Sequence, residues 1–384
     1  SIIELANSSL LLLDENSENY QEQKSSLYST LFMSHLELGN TNEAYESMML
    51  IPDLSQQKIC LRKFVVDHCE NGKVGDLILF SYKDIEEEFV NIIESRARST
   101  DLLLSNENNY YHVLYSYYIE KKNYRKAASV MYEYGKRLSI EVPGIESISK
   151  QVSCYMITLN CLKIVNPTYS WIVKPSTKRL PSESITISDQ LTNNSKRNHL
   201  GNEIESESES ENGLTHKLVI DVVDIDEIKK DYELVNARLK LLKKDPKLYN
   251  IANTPLTAPE TVIHLVAASL FDVAFHICKM LKMSYQDVFY GIVSKYIHLV
   301  NSNSSYEIFD LYNNCFIDNQ TVVLGYINSA DLSPFDKMWH LINAYLERYE
   351  QPGQTQMHKC VTEKLLEAGL PLPTLLKIRY QVKF

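Results

Sequence analysis

The segment LYSYYIEKKNYRKAASVMYEY, residues 114–134, contains an apolar helix, a tight polar turn and the start of a second helix. Two further segments repeat this arrangement, FMSHLELGNTNEAYESMM at 32–49 and LVAASLFDVAFHICKML at 265–281. A short turn forces the two helices of a pair to lie antiparallel, and a single pair leaves one apolar face uncovered. Repeated pairs cover that face by stacking on one another. The sequence therefore predicts an all-α fold, an α-solenoid of stacked antiparallel helix pairs.

Each second helix has an alanine shortly after its turn, and these are Ala44, Ala127 and Ala274. A small side chain at this place lets two helix backbones approach closely, so we interpret the three alanines as helix-crossing positions. The alanines are separated by 83 and 147 residues and follow no fixed period. This spacing predicts an irregular stack, since a regular tetratricopeptide array repeats about every 34 residues.

Composition divides the chain into two helical regions with an insertion between them. Residues 1–173 contain a nearly continuous run of helical patterns. Residues 174–215 are rich in Ser, Asn and Glu and contain no Phe, Trp or Tyr, so they bury too little apolar area to offset the entropy cost of ordering. We predict one long disordered insertion there, a Ser/Glu-rich loop, followed by a second helical-repeat region over 216–384.

The second region has its own pattern of helices and breaks. Helical pattern begins near Asp224, stops at Pro246, and resumes from Glu260. The piece KLVIDVV at 217–223 is rich in β-branched residues, but a strand there has no apparent partner, so we expect an extended lead-in to the helix. The chain starts in helical sequence and ends without a polar capping repeat. We therefore expect a fragment of a longer protein.

Charge, cysteine usage and hydropathy exclude several classes of function. The formal net charge of −10 disfavours direct binding of nucleic acid, which needs a basic stripe. The seven cysteines form no CxxC pair, as is typical of proteins from a reducing compartment. No apolar run approaches the length of about 18–20 residues that crosses a bilayer, so we expect no membrane insertion.

Catalytic motifs are absent from the sequence. It contains no HExxH, no GxSxG and no phosphate-binding loop. The adjacent pair His68 and Cys69 suggests a nucleophile or metal site, but neighbouring helix positions point about 100° apart and do not easily converge on one ion. We predict no catalytic, cofactor-binding or metal-binding residue, no small-molecule substrate and no enzymatic activity.

Tyrosine is abundant, with 25 in the chain and a cluster between residues 110 and 134. Tyr110, Leu114 and Tyr118 share one helix face, which favours packing between helices. Tyr111 and Tyr115 lie on a different stripe of the same helix. Because Tyr is enriched in interface hot spots, these two residues are our candidates for contact with a partner.

Seven segments carry a family resemblance in collinear order, and they lie at 36–53, 91–103, 109–138, 154–173, 270–281, 344–350 and 369–376. The most specific of them contain IIESRAR and NYRKA…MYEYG. Together they resemble the C-terminal helical region of the 160-kilodalton nucleoporin family, whose members are scaffold subunits of the Y-shaped outer-ring complex of the nuclear pore. The resemblance covers most of the chain. The sequence departs from the family at the insertion 174–215.

The resemblance implies a non-enzymatic scaffold in the nuclear envelope, at the nuclear pore complex. In this family an N-terminal β-propeller precedes the helical domain, and both the propeller and the distal C-terminus would be missing here. The implied partners are other Y-complex nucleoporins at the hub of the Y. The implied role is support of pore assembly, mRNA export and protein import. A vesicle-coat scaffold and a tetratricopeptide-type adaptor remain alternatives, and an enzyme of helical fold is a further one.

Overall fold

The computed structural model describes residues 2–82, 84–103, 109–173, 222–244, 256–302, 334–350 and 355–370. In this part the chain forms fifteen α-helices. The nine of the first region are α1 Ile2–Leu11, α2 Tyr20–Glu37, α3 Thr41–Met49, α4 Leu54–Glu70, α5 Val74–Leu79, α6 Glu86–Ser99, α7 Tyr110–Glu120, α8 Tyr124–Glu141 and α9 Ile145–Ile164. The six of the second region are α10 Ile225–Lys244, α11 Ala258–Ala267, α12 Phe271–Leu281, α13 Gln286–Ser302, α14 Pro334–Tyr349 and α15 Gln356–Glu367. The described residues confirm the all-α fold.

The three turns noted in the sequence share one backbone geometry. Each has a residue with positive φ at the second position after the first helix: Gly39 at 75°, Lys122 at 56° and Ser269 at 60°. After each of these residues, the next N–H donates to the carbonyl five residues earlier, as in the bond of 2.8 Å from Asn123 to Tyr118. This is the Schellman arrangement, which satisfies carbonyls at the helix end and reverses the chain within two residues. The second helix therefore packs back on the first.

The three alanines occupy equivalent positions in the second helix of each pair. The N–H groups of Ala44, Ala127 and Ala274 each donate to the residue that follows the turn, over 3.0 Å. All three side chains are completely buried. Their role in allowing the helices to cross closely stays a prediction, which substitution would test.

The helix pairs form one continuous stack. Sequential helices pack on each other from α6 to α10, and α10 in turn contacts α11 and α12. α13 packs against α11, α12, α14 and α15. Most of the buried apolar residues that the structure describes belong to one hydrophobic cluster, which extends from Phe32 to Leu365. The architecture is an irregular α-solenoid, as the sequence predicts.

A small β-ribbon joins the two helical regions and corrects one expectation. The strand β1, Trp171–Val173, pairs antiparallel with β2, Val222–Asp224. Ile172 and Val223 face each other across the ribbon and are buried. The end of the piece at 217–223 is therefore a paired strand and not an extended lead-in. The prediction was wrong because the partner strand lies far upstream, where no local signal marks it.

Several predictions lie outside the described residues. The disordered Ser/Glu-rich loop at 174–215 is one, and the remainder of the segment at 217–223 is another. The helix expected from near Asp224 is present as α10. The helical run expected from Glu260 is present as α11, α12 and α13, with a turn between each helix and the next.

Candidate interaction surface

Helices α6, α7 and α8 form the tyrosine-rich centre of the first region. Glu86, Glu87 and Glu88 begin α6, and Arg96 and Arg98 lie in its last turn, which favours the helix because these charges oppose its dipole. The side chain of Asn109 accepts from the N–H of Tyr111 at the start of α7, and that of Asn123 accepts from Lys126 at the start of α8. α7 contacts both α6 and α8, so it lies between them.

Most tyrosines of this centre are packing residues. Tyr111 stacks on Tyr134, with ring centroids 5.0 Å apart, and Tyr117 packs on Phe89 at 4.9 Å. Burial raises the pKa of Tyr118 to about 12. The predicted packing of the Leu114 and Tyr118 face agrees with the burial of both residues.

The structure corrects the expectation for Tyr111. Its side chain is only 2% exposed, so it offers almost no surface to a partner. The sequence argument separated two stripes of α7, but this helix is covered on both sides by α6 and α8 and buries both stripes. Tyr115 is half-buried and packs against the core, with Cys161 near its hydroxyl. Its role in partner contact stays a prediction.

A charged network joins α6 to α8 over the first turn of α7. Arg98 donates to both carboxylate oxygens of Glu133, over 2.8 and 3.1 Å. The Tyr111 hydroxyl donates to the same carboxylate over 3.1 Å. The hydrogen bond to Glu133 is the main cause that raises the pKa of Arg98. Arg137 extends the network, since it donates to the Tyr111 hydroxyl and to the carbonyl of Ala97.

A groove of about 890 Å³ lies between α6 and α8, with α7 as its floor. The Arg98–Glu133 bridge lies at one end of it. Each of the helices α6, α7 and α8 runs antiparallel to the one before it. The other end of the groove therefore holds Glu86 and Glu87 from the start of α6, Lys121 after α7 and Lys126 from the start of α8. The residues that line the groove are Glu86, Glu87, Val90, Asn91, Glu94, Ala97, Arg98, Tyr111, Leu114, Tyr118, Lys121, Asn123, Lys126, Ser129, Val130 and Glu133. We call this feature the α6–α8 groove.

The sequence reasoning missed this groove, although a signal for it exists. Glu87 and Glu94 are seven residues apart and so lie on one face of α6. Lys121 and Lys126 flank the turn that brings α8 back along α7. Neither pattern stands out from an ordinary solvated helix surface until the fold places the two sets of charges on opposite walls.

The histidine and cysteine side chains that could act as nucleophiles or metal ligands, His68, Cys69 and Cys154, are buried and pack in the core. His68 and Cys69 are 1% and 0% exposed, and the His68 Nδ1 lies 2.9 Å from the Phe64 carbonyl oxygen. Burial raises the pKa of Cys69 to about 11 and that of Cys154 to about 12. Among the described residues, no three or more His, Cys, Asp or Glu side chains are placed to hold a metal ion. None of the described helices is long and apolar enough to cross a membrane.

Two family models match this chain, one for each helical region. The model described as NUP160/120 middle TPR matches residues 1–164, and the model described as Nup160 C-terminal TPR matches residues 224–383. The first match ends before β1, and the second begins at Asp224, the last residue of β2. Together they cover the helical stack from α1 to α15 in collinear order.

Two curated Nup160 proteins are similar to nearly the whole chain, and a curated NUP120 protein is similar to about half of it. The nuclear pore complex protein Nup160 of Mus musculus is 36% identical over 380 residues, which are 99% of this chain and 25% of that protein. The Homo sapiens protein of that name is also 36% identical over 99% of this chain and 24% of its own length. The nucleoporin NUP120 of Chaetomium thermophilum is 23% identical over 51% of this chain and 17% of its own length.

The chain thus spans about a quarter of the length of the curated relatives it matches. Both halves of its helical stack match models of one family, and the resemblance drawn from the sequence alone points to the same family. From these matches we conclude that the chain belongs to the NUP160/120 nucleoporin family.

Proposed function

We propose that this chain is a structural scaffold segment of the nuclear pore complex. The observation that carries the proposal is the collinear match of both helical regions to NUP160/120 family models. A continuous stack supports this role, because it buries one core along its length and leaves an extended surface for neighbouring proteins. We place the protein at the nuclear envelope, at the pore.

More specifically, the chain would act in the Y-shaped outer-ring complex. There its helical surface would contact other scaffold nucleoporins near the hub of the Y. This role would support pore assembly and, through it, mRNA export and protein import. The resemblance noted in the sequence suggests this placement, and the names of the relatives support the coarser assignment to the nuclear pore.

The proposed mechanism is binding and not catalysis. A cysteine nucleophile needs its thiolate form, and a low or neutral pKa supplies it. The described thiols have the opposite environment, since burial raises the pKa of Cys69, Cys154 and Cys278 to about 11, 12 and 11. This supports packing roles for these three residues.

Localisation and purification test the proposal together. The full-length protein that contains this chain would be tagged with a fluorescent protein and expressed in cells of its source. We expect a signal at the nuclear rim and co-purification of nuclear pore scaffold proteins. A signal on cytoplasmic vesicles, with coat proteins in the purified complex, would overturn the proposal in favour of the vesicle-coat alternative.

A further inference from the structure

We propose that the α7–α8 turn and the outer face of the β-ribbon form one docking surface for an acidic segment of a neighbouring protein. The segment would place carboxylates beside the cations of the turn and apolar side chains on the ribbon. This inference rests on the proposed scaffold function and deepens it by naming a surface and the chemistry of its partner. We call this feature the ribbon surface, and it consists of residues 121–126 together with Trp171, Val173 and Val222.

The α7–α8 turn is basic. Residues 121–126 read KKNYRK, so four cations lie close together in a chain whose net charge is −10. None of the four forms an ion pair with a residue that the structure describes. Three carboxylates lie around the turn, since Glu120 precedes it and Glu86 and Glu87 share the open end of the α6–α8 groove with two of the lysines. The cations outnumber these carboxylates and remain available to a partner.

Three of these cations lie over aromatic rings. The guanidinium carbon of Arg125 lies 3.8 Å from the centroid of the Trp171 ring. The ammonium groups of Lys121 and Lys126 lie 5.5 and 5.4 Å from the ring centroids of two neighbouring tyrosines of α7. A ring face holds a cation in place while its N–H groups stay free to donate. A cation that is held in this way loses less side-chain entropy when it binds a carboxylate.

The outer face of the β-ribbon is apolar and exposed. Successive side chains of a strand point to opposite faces, and Ile172 and Val223 are the ones buried in the stack. Val173 and Val222 therefore point outward. They are cross-strand partners and are 47% and 48% exposed. The outer face of a small antiparallel sheet is ordinarily polar, so the two valines offer an apolar surface that the side chains of a partner can cover.

Trp171 joins the turn to the ribbon. It lies on the same outer face two residues before Val173, about 7 Å away along the strand, and its half-buried ring contacts Arg125. The cross-strand partner of Trp171 is Asp224, whose carboxylate accepts from the Glu227 N–H and so is directed at the start of α10. A bound segment would therefore meet the cations at one end and the two valines at the other.

Charge and apolar area together decide the class of partner. A basic segment would meet the unpaired cations of the turn, and like charges placed opposite each other cost binding energy. Nucleic acid would contact the cations, but it needs a longer basic stripe and is repelled by a chain with a net charge of −10. An acidic protein segment with apolar side chains at one end fits both the turn and the valines.

Three synthetic peptides of about 12 residues, roughly 40 Å long when extended, test the inference. The first has a Glu-rich half and a half with alternating Leu. The second replaces each Glu by Gln, and the third replaces each Leu by Ser. An oligouridylate of similar length tests the nucleic-acid alternative. Fluorescence anisotropy at low salt measures their binding to the 384-residue chain.

Two variants of the chain each change one half of the surface. Lys122→Glu reverses a charge of the turn, and Val222→Ser removes an apolar side chain of the ribbon. The matched controls are Lys63→Glu in α4 and Leu79→Ser in α5, which make the same kinds of change outside the surface. All four residues are exposed, and circular dichroism verifies that the variants fold. A further variant lacks residues 203–211, the acidic run EIESESESE.

We expect the first peptide to bind the unsubstituted chain roughly tenfold more tightly than the Gln peptide and roughly threefold more tightly than the Ser peptide. Lys122→Glu and Val222→Ser should each weaken its binding roughly threefold, and the controls should leave it unchanged. Tryptophan emission should also change on binding. Because Trp339 is only 5% exposed, that change reports on Trp171, and Trp171→Phe should abolish it.

Equal binding of the Gln peptide, equal losses in the controls, or no binding of any peptide overturns the inference. So does tighter binding of the oligouridylate. Binding that appears only without residues 203–211 would mean that the acidic run of the chain itself occupies the surface, and self-association that Val222→Ser abolishes would mean that a second copy does. Either outcome rules out the proposed partner. If the peptides fail while the tagged protein still localises to the nuclear rim, the scaffold function stands without this docking site.

Discussion

The Tyr132 hydroxyl donates a hydrogen bond of 2.9 Å to a carboxylate oxygen of Asp231, although 99 residues separate them in the chain. The Lys136 ammonium lies 2.8 Å from the same oxygen. Tyr132 and Lys136 belong to α8 and Asp231 belongs to α10, so these bonds join the two helical regions. Tyr132 is 1% exposed, whereas the side chains of Lys136 and Asp231 are 33% and 27% exposed, so the bond lies where the buried ring meets the edge of the stack.

Removing this hydroxyl should destabilise the chain. We expect Tyr132→Phe to lower the free energy of unfolding by about 1–2 kcal/mol, because a hydrogen bond to a charged group is lost and the ring still packs. Tyr155→Phe is the matched control. Its ring lies 5.6 Å from that of Tyr132 and is equally buried, but its hydroxyl makes no hydrogen bond in the described part. Urea unfolding should show a change below about 0.5 kcal/mol for the control. Equal losses in both variants would contradict the role given to Asp231.

The two regions should remain associated when the chain is cut between them. Three kinds of described contact hold them together: α9 packs along α10, β1 pairs with β2, and Asp231 of α10 bonds to Tyr132 and Lys136 of α8. A protease site inserted between residues 174 and 221 allows cleavage of the folded protein. Size-exclusion chromatography should then show both fragments in one peak, because none of these contacts depends on an intact chain.

The buried face of the ribbon supplies the control for that experiment. Val223 is 0% exposed and Val222 is 48% exposed, although they are adjacent in β2. Val223→Asp should weaken the association of the cut fragments because it buries a charge, whereas Val222→Asp should leave it unchanged. Fragments that separate immediately after cleavage of the unsubstituted chain would show that the regions are independent domains.

The sequence predicted the features that depend on local pattern. The helix pairs, the turns and the positions of Ala44, Ala127 and Ala274 follow from apolar spacing and from a polar break of a few residues. The backbone geometry of the turns was harder to predict from the sequence. Glycine at position 39 marks a left-handed residue, but Lys122 and Ser269 adopt the same conformation without a glycine signal. At Lys122 and Ser269 the packing of the two helices outweighs the preference of non-glycine residues for negative φ.

Features that depend on the assembled stack could not be predicted. The pairing of β1 with β2, the burial of Tyr111 and the opposed charges of the α6–α8 groove all arise from contacts between distant segments. One further feature could have been anticipated. Gly135 and Gly291 lie inside helices, where glycine is unfavourable, and such a glycine often marks a close approach of two backbones.

Substitution of Gly135 tests this close approach directly. A Cβ at that position would lie 2.8 Å from Tyr155 Cε1 and 3.3 Å from Cys154 Cβ, both in α9. We expect Gly135→Ala to lower the free energy of unfolding by about 1–3 kcal/mol, because the overpacked helices must separate. Gly75→Ala is the control, since Gly75 lies in α5 with no atom within 4 Å of the added Cβ. Helix propensity predicts that this control stabilises the chain by about 0.5–1 kcal/mol, and thermal unfolding measures both effects. A stabilised Gly135→Ala variant would refute the close crossing of α8 and α9.

The buried imidazole of His68 should make stability depend on pH. Burial is the main cause that lowers its pKa below the ordinary 6.5, and it outweighs the opposing effects of the Phe64 carbonyl and the Asp67 carboxylate. Below about pH 6.5 the unfolded chain therefore binds a proton at this residue that the folded chain does not. Stability is fully present above the ordinary pKa and is lost as the pH falls toward the lower folded-state pKa. The loss is at most about 1.4 kcal/mol per pH unit.

His68→Gln removes the titrating group, so the free energy of unfolding should fall less steeply between pH 7.5 and about pH 5.5 than in the unsubstituted chain. The slope is the diagnostic quantity, because loss of the ring contact with Phe64, at 4.0 Å between centroids, lowers stability at every pH. Some slope should remain, since burial also lowers the pKa of His112. Parallel pH profiles for the unsubstituted chain and His68→Gln would mean that His68 takes up its proton equally in the folded and unfolded states, and that its burial does not affect its charge.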